Sequence, residues 1–409
     1  PDYIYNVVRL VREADNTTTV YALVEGRTWT GSEWDLNWDL LRSTDGGASY
    51  ARTFTVPIPT RPDMWISRTS AGPLYLAYGN QLLKSTDHGV TFTSVGTLPA
   101  TSDQARLAGS EAGAPAFYCA LRSGAAWTLY SSTNGGVAWT NRGALTDFWG
   151  SILAPVSDAA QVFIGGVNCY RSTDGGATRP AINVWSDYYG NPQHKLHADI
   201  DGLTSTVAPG GGNERIYIHT DGGTYLLTPT TTIPDNITRN GFRNAQYYGT
   251  LTSLTDPTRL SAGAQDQGFQ ISAPLSGVSA PNFSQAISGD YAHLVSSWPD
   301  RSRLVFAVYP AFVEVQTGPG EAPALESTSF PPGQPGFKFL PATSPDPANS
   351  SAAYVCARQI WHVVRNAANS YSWTALSHDF DHGDGDVVGA LAITPTRWFA
   401  GLTFLIASP

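Results

Sequence analysis

Three stretches of this chain gather side chains capable of chemistry. In the run from Trp185 to Asp201, His197, Asp199 and Asp201 alternate with Ala198 and Ile200. On a strand, side chains two apart share a face, so the histidine and both carboxylates would point the same way. Asp221, Asp266 and Asp290 recur downstream, and together these residues would make an acidic rosette around an axis. Such a rosette suits a cation, or a carboxylate pair for acid and base work at a glycosidic bond, with Asp199 and Asp290 as candidates. The same groups would equally serve to hydrogen-bond neighbouring repeats. The second stretch, Arg27 to Asp39, sets Trp29, Trp34 and Trp38 among Glu33, Asp35 and Asp39. Flat rings beside carboxylates and amides stack on sugar faces and bond sugar hydroxyls. The connection from Trp185 to Gln193 has the same make-up through Trp185, Tyr188 and Tyr189. These six rings are the ligand-binding candidates; the alternative is that they cap their own repeats. In the third stretch, Ser377 to Asp386, His378, Asp379, Asp381 and Asp384 supply metal ligands between curving glycines, as Ca2+ loops do. Its spacing is not that of an EF-hand and no Glu closes it, so a solvated acidic turn is the other reading. No cofactor is otherwise required: there is no phosphate loop, no Gly-x-Ser-x-Gly and no Cys-x-x-Cys.

The elements that would position these groups follow from composition. Of 409 residues, 40 are Gly and 28 are Pro, which interrupts helices and argues for strands joined by turns. Charged residues are 14%, well below the roughly 25% of ordinary domains, so Ser, Thr, Asn and Gly supply the polar surface. A net charge of −9 without a basic stripe argues against nucleic acid. No apolar run reaches the roughly 18 residues of a membrane helix, so no membrane insertion is expected. Three cysteines, Cys119, Cys169 and Cys356, make no complete disulfide framework. Cys119 and Cys169 fall in adjacent repeats and are the one plausible pair; Cys356 should be a buried thiol.

One phrase recurs. It reads Ser43-Thr44-Asp45-Gly46-Gly47-Ala48-Ser49-Tyr50, then Ser85-Thr86-Asp87-His88-Gly89-Val90-Thr91-Phe92, then Ser132-Thr133-Asn134-Gly135-Gly136-Val137-Ala138-Trp139, then Ser172-Thr173-Asp174-Gly175-Gly176-Ala177-Thr178-Arg179. A shortened form is His219-Thr220-Asp221-Gly222-Gly223-Thr224-Tyr225. The positions 45, 87, 134, 174 and 221 are separated by 42, 47, 40 and 47 residues, the length of one four-stranded propeller blade. The acid can accept amide hydrogen bonds from its own turn, and the glycines can take φ > 0. The phrase therefore reads as a structural staple, not a catalytic site.

This phrase resembles the Asp-box, or BNR repeat, of sialidases, sortilin-type receptors and xyloglucanase-like glycosidases, with Asp45, Asp87, Asn134, Asp174 and Asp221 as its acid positions and Arg179 replacing an aromatic in the fourth copy. The order His197-Ala198-Asp199-Ile200-Asp201, Asp221-Gly222-Gly223, Gln265-Asp266-Gln267-Gly268 and Gly289-Asp290-Tyr291 further resembles secreted bacterial BNR/YVTN-type propellers. There Asp201 replaces a second His, Gln267 an Asn, and Tyr291-Ala292 a Gly pair. Sialidases carry an Arg-Ile-Pro phrase that Val8-Arg9-Leu10 does not match. The xyloglucanase-like enzymes use two Asp in a cleft between two propellers, whereas the repeats here suffice for one.

The expectation is an all-β chain: residues 1–409 as one β-propeller domain of about eight four-stranded blades, with seven or nine as alternatives. It would be complete in itself or the N-terminal part of a longer protein. Repeats fall near 5–56, 63–98, 104–145, 148–182, 196–230, 245–273, 286–317, 337–377 and 386–409, and Tyr3-Ile4-Tyr5-Asn6 would complete the last. The resemblance and the polar, aromatic loops imply a non-catalytic extracellular protein, secreted or on a cell surface, that binds a glycan or an extracellular protein, for instance as a subunit of a filament or surface assembly. A glycoside hydrolase using paired Asp is the alternative. Asn-x-Ser/Thr triplets at Asn16, Asn236, Asn282 and Asn349 would accept sugar in a host that glycosylates them.

Overall fold

A computed structural model describes residues 3–404 apart from 15–17, 57–59, 69–72, 113–114, 208–213, 239–246, 273–281, 292, 310–311, 317–324, 331–340, 382–385 and 395. The chain falls into two compact units, residues 1–242 and 243–409. Both are built from antiparallel sheets in which each strand pairs with the next in sequence.

In the first unit, sheet 1 holds Tyr3–Arg12, Val20–Trp29, Trp34–Ser43 and Ala51–Val56; sheet 2 holds Asp63–Ile66, Leu74–Tyr78, Gln81–Ser85 and Thr93–Thr97. Sheet 3 holds Gln104–Ser110, Ala116–Ser123, Ala126–Ser132 and Thr140–Leu145; sheet 4 holds Ser151–Leu153, Val162–Gly165 and Cys169–Ser172; sheet 5 holds Ile200–Thr206, Arg215–Thr220, Gly223–Leu227 and Asp235–Asn236. In the second unit, sheet 6 holds Tyr247–Thr252, Leu260–Ala264, Gly268–Ser272 and Phe283–Ile287; sheet 7 holds His293–Val295, Val305–Tyr309, Phe312–Gln316 and Leu325–Ser329. Sheet 8 holds Thr343–Pro345, Ala352–Cys356, Ile360–Ala367 and Ser370–Ala375, and sheet 9 holds Asp386–Ile393 and Trp398–Phe404. The one helical turn among the described residues is the 3-10 segment Trp185–Gly190.

Within each unit the first strands of successive sheets lie against one another. A parallel bridge between Arg61 and Gln104 shows that those of sheets 2 and 3 run the same way. This is the blade arrangement of a β-propeller. A blade is covered on both faces, so its second strand reads as an unbroken apolar run rather than an alternating one. All five residues of Leu74-Tyr75-Leu76-Ala77-Tyr78 are buried. Leu74, Leu76 and Tyr78 enter the layer shared with sheet 1, beside Leu23, Leu40 and Met64; Tyr75 and Ala77 enter the layer shared with sheet 3, beside Leu107 and Phe117. The core is thus a series of layers between sheets.

The four full phrases occupy the loop between the third and fourth strands of sheets 1, 2 and 3 and the loop after the third strand of sheet 4. Each is wired alike. Ser43, Ser85, Ser132 and Ser172 donate to the acid or amide two residues on at 2.7–2.9 Å and accept from the amide four residues on at 2.8–2.9 Å. The acids also take the amides of Ser49, Thr91, Ala138 and Thr178, each at 2.9 Å. These hydrogen bonds hold Asp45 and Asp87 far below the usual carboxylate range and Asp174 at about 2. The two residues after each acid all have positive φ, at 62–98°; His88 occupies one such slot at 62°.

The second glycine of each phrase also receives a neighbour. A Cβ on Gly89 would come 2.7 Å from Leu40 Cδ2, one on Gly136 would overlap Leu82 Cδ2, and one on Gly176 would come 3.1 Å from Leu129 Cδ2. Each leucine sits on the third strand of the preceding sheet. Gly47 is met by its own Tyr50 hydroxyl at 3.2 Å. The last residue of the phrase reaches back as well. Phe92 packs on Phe54 of sheet 1 at 4.6 Å, while Arg179 bonds the carbonyls of Arg142 and Ala144 on sheet 3. Arginine thus does by hydrogen bonding what the aromatic does by packing.

Several expectations are corrected. Asp221 lies between the second and third strands of sheet 5, so the shortened phrase is not a fifth copy of the same loop. Residues 3–6 pair with Arg27, Gly26 and Glu25 as part of sheet 1 and do not belong to the sheet of Asp386–Ile393. The sixth repeat runs to Ile287 because Phe283–Ile287 pairs with Gly268–Ser272. Cys119 and Cys169 are free thiols: Cys119 faces the layer between sheets 2 and 3, Cys169 the layer between sheets 4 and 5, so they look away from each other. Cys356 is also free and buried. Asn236 is 1% exposed and its amide donates to Pro192 O at 3.2 Å, which removes it as a sugar acceptor; Asn16 lies outside the described residues.

Candidate functional site

Antiparallel pairing sends the hairpin between the second and third strands, and the connection to the next sheet, to the same end of a sheet. Hydrogen bonds join the two. Asp199 N and Ile200 N, entering sheet 5, donate to Val167 O and Gly166 O of the sheet 4 hairpin at 3.0 and 2.8 Å. In the second unit Gly289 N, entering sheet 7, donates to Asp266 O of the sheet 6 hairpin at 3.0 Å. Asp199, Asp221, Asp266 and Asp290 stand in these loops and connections, while Asp201 lies within the first strand of sheet 5.

In the first unit the junction is organised by Asp147, in the connection leading to sheet 4. Its carboxylate accepts from Val167 N, Asn168 N and Tyr170 Oη at 2.7, 3.0 and 2.9 Å. Asn168 Oδ1 in turn accepts from Trp185 N at 2.9 Å, which starts the 3-10 turn carrying Trp185, Tyr188 and Tyr189. Nothing in the local sequence around Asp147 distinguishes it, and sequence reasoning missed it. Asp199 stands at φ 65°, outside regular strand geometry, so the alternation expected of residues 197–201 breaks there. His197 is 3% exposed while Asp201 is exposed.

The environment of Asp199 is unusual for an acid. Burial raises its pKa above the ordinary value; Asp221, Asp201 and Asp147 push the same way, and His197 opposes them. His197 lies edge-on to Tyr188 at 4.6 Å and 89°, and near Tyr189 at 6.4 Å. Its ring leaves no room for a side chain at Gly222, beside Asp221. His219 sits between Thr204 Oγ1 and Thr224 Oγ1, each at 3.2 Å, and burial lowers its pKa.

The turn above this cluster is outward-facing. Trp185 and Tyr189 are 38% and 49% exposed, with ring centroids 6.0 Å apart, and Tyr188 is half-buried between Tyr189 and His197. At the same end of the unit, the long hairpin of sheet 1 projects past the sheet. Trp29 and Trp34 face each other across it at 5.3 Å, 47% and 48% exposed. Trp38 is different: four residues further into the sheet, it is 5% exposed in the layer between sheets 1 and 2. It is a core residue.

In the second unit Asp290 Oδ1 accepts from Asp266 N at 3.0 Å, and Asp266 has φ 60°. Tyr309 nearby has a raised pKa, mainly from burial and then from these two acids. Further along, Asp379 and Asp381 turn toward Arg358 rather than a common centre. Arg358 Nε lies 3.0 Å from Asp379 Oδ1 and 3.5 Å from Asp381 Oδ2. The His378 ring packs on Phe380 at 4.4 Å, and Asp384 lies outside the described residues. Among the described residues no three His, Cys, Asp or Glu side chains are placed to share a metal ion, and no helix is long and apolar enough to cross a membrane.

No family model matches the chain, and no curated protein does. Among solved structures, the chain is similar to an ancestral GH74 enzyme, with 11% identity over 97% of this chain and 68% of that one, at a TM-score of 0.43. It is also similar to the GH74 xyloglucanase from Xanthomonas campestris, with 11% identity over 95% of this chain and 83% of that one, at 0.34. A third is YCF48 from Cyanidioschyzon merolae, with 13% identity over 73% of this chain and 94% of that one, at 0.30.

Proposed function

We propose that the chain is an extracellular, non-catalytic propeller protein that binds glycans at the hairpin end of its first unit. One observation carries the reading. Trp185 and Tyr189 are exposed and packed against each other on a turn tied by Asn168 and Asp147 to the junction that holds Asp199. Rings give a sugar its apolar face and carboxylates accept from its hydroxyls. Trp29 and Trp34 extend the same end. The low overall charge suits a neutral ligand, because few ions need be desolvated on contact. The same rings would serve an extracellular protein partner, as in a surface assembly, and the glycan is preferred because carboxylates and rings occur together. A glycan array decides it: binding that Trp185→Ala with Tyr189→Ala abolishes, while far-UV circular dichroism is unchanged, supports the proposal. An array without any hit refutes it.

A specific observation favours a second reading. The pKa of Asp199, raised by burial and then by neighbouring Asp221, suits a carboxyl that keeps its proton, as the acid of glycoside hydrolysis does. Release of reducing ends that Asp199→Asn abolishes would replace binding by hydrolysis as the function.

A further inference from the structure

The opposite end of the first unit carries a cavity. It measures about 250 Å³ and is lined by the C-terminal halves of the five first strands: residues 9–12, 64–66 with 68, 107–109, 152–154 and 203–205. At about 30 Å³ per liquid water, it has room for a molecule of eight or nine heavy atoms. Val11, Trp65 and Leu203 are its half-buried apolar lining. Among the described residues the charged members of its lining are Arg9, Arg12 and Arg68, with no carboxylate.

The acids that balance these arginines stand behind the wall and are largely occupied by backbone amides. Asp63, 1% exposed, takes Arg9 at 2.5 and 2.6 Å, and also Met64 N at 2.9 Å and Leu107 N at 2.8 Å. Glu214 takes Val156 N and Ser157 N at 2.9 and 3.1 Å and lies 3.8 Å from Arg68. Glu111 takes Ser67 Oγ and Arg68 N at 2.9 and 2.6 Å. Arg68 crosses between strands, donating to Ser205 Oγ, to Gly109 O at 3.1 Å and to Ala154 O at 2.5 Å. Its Nε and the Trp65 indole N–H are buried with no acceptor among the described residues. A buried donor left unmade is costly. Burial depresses the Arg68 pKa and Arg9 adds to this, against Glu214 and Glu111.

Cationic and apolar lining in one small space selects a ligand with an anionic acceptor head and an apolar body. We propose that this cavity binds a small organic carboxylate, its head among Arg9, Arg12 and Arg68 and its body against Val11, Trp65 and Leu203. This site is separate from the aromatic end and does not depend on the glycan reading.

Benzoate is the probe, with benzamide as its neutral isostere, titrated calorimetrically into the full chain at constant ionic strength. The expected result is one benzoate per chain, benzamide weaker by about tenfold or more because a charged hydrogen bond is lost, and benzoate weakened by added NaCl. Arg12→Gln, at an exposed position, should weaken benzoate several-fold without changing the thermal midpoint. No benzoate binding, equal binding of benzamide, or indifference to Arg12→Gln each overturns the proposal.

Discussion

Gly136→Ala is the sharpest test of the way successive sheets are joined, because its neighbour Gly135 supplies an internal control. Both have positive φ, 73° and 92°, so alanine at either costs about 1–2 kcal/mol of backbone strain. Stiffening the unfolded chain returns about 0.4–1 kcal/mol in both cases. The surroundings differ. A Cβ on Gly135 meets nothing within 4 Å, whereas one on Gly136 overlaps Leu82 Cδ2. Leu82 is fully buried among Tyr75, Leu107 and Phe117 and has little room to retreat, so overpacking adds about 1–3 kcal/mol. Gly135→Ala should therefore cost about 0–1.6 kcal/mol and Gly136→Ala about 1–3 kcal/mol more than that. Urea denaturation of the full chain measures both. Leu82→Ala opens space at its own cost of about 2–5 kcal/mol, and in the double variant the two costs should fall short of their sum by more than about 1 kcal/mol. Equal destabilisation by the two glycine substitutions, or strict additivity with Leu82→Ala, would refute the socket.

Glu326 accepts from Arg365 at 2.6 and 2.8 Å and from Tyr371 Oη at 2.6 Å, and its pKa falls from 4.5 to about 2. A lowered carboxyl pKa stabilises the fold above the unfolded value and is lost as pH falls toward the folded one. Wild type should thus exceed Glu326→Gln by on the order of 2 kcal/mol at neutral pH, and the gap should close between pH 4.5 and about 2; a gap that does not depend on pH refutes the assignment. Asp221→Asn should lower the Asp199 pKa only part of the way to its ordinary value, since burial is the larger cause; carboxyl NMR titration reads the shift, and an unmoved Asp199 would show the two acids to be uncoupled. Burial raises all three thiol pKa values, that of Cys356 to about 12, so a thiol reagent should label none in the native protein and all three in denaturant. In a glycosylating host, sugar should appear at the exposed Asn282 and not at Asn236; mass spectrometry of the peptides decides.

The sheets were legible because their signals are local. The phrase from Ser43 to Tyr50 and its three full copies marks a loop by side-chain hydrogen bonds within eight residues, and runs such as Leu74–Tyr78 mark strands covered on both faces. Phe283–Ile287 falls beyond the expected end of the sixth repeat because a fourth strand, partly exposed, carries little apolar pattern. The shortened phrase at Asp221 misled because Asp-Gly-Gly suits either kind of hairpin, and only strand pairing tells them apart. Trp38 differs from Trp34 by one turn of the pleat repeated twice, and its burial depends on how far sheet 2 extends beneath it. Asp199 combines its positive φ with an amide bond to the Val167 carbonyl of the sheet 4 hairpin, and the arginine-lined cavity joins residues from 9 to 205; neither leaves a mark on neighbouring sequence.

The leucine-to-glycine contact has a direction. Sheets 2 and 3 each offer a leucine to the sheet that follows and a bare glycine to the sheet that precedes, so each carries both halves of the joint. A gene segment encoding one such repeat could be copied in tandem and the new copy would fit its neighbours on both sides without any substitution. Growth of the array by duplication then needs no co-evolving interface. Loss of either half in one copy would, by the same token, fix an end of the run. Sheet 1, where Gly47 is filled by its own Tyr50, has the form that such an end would take.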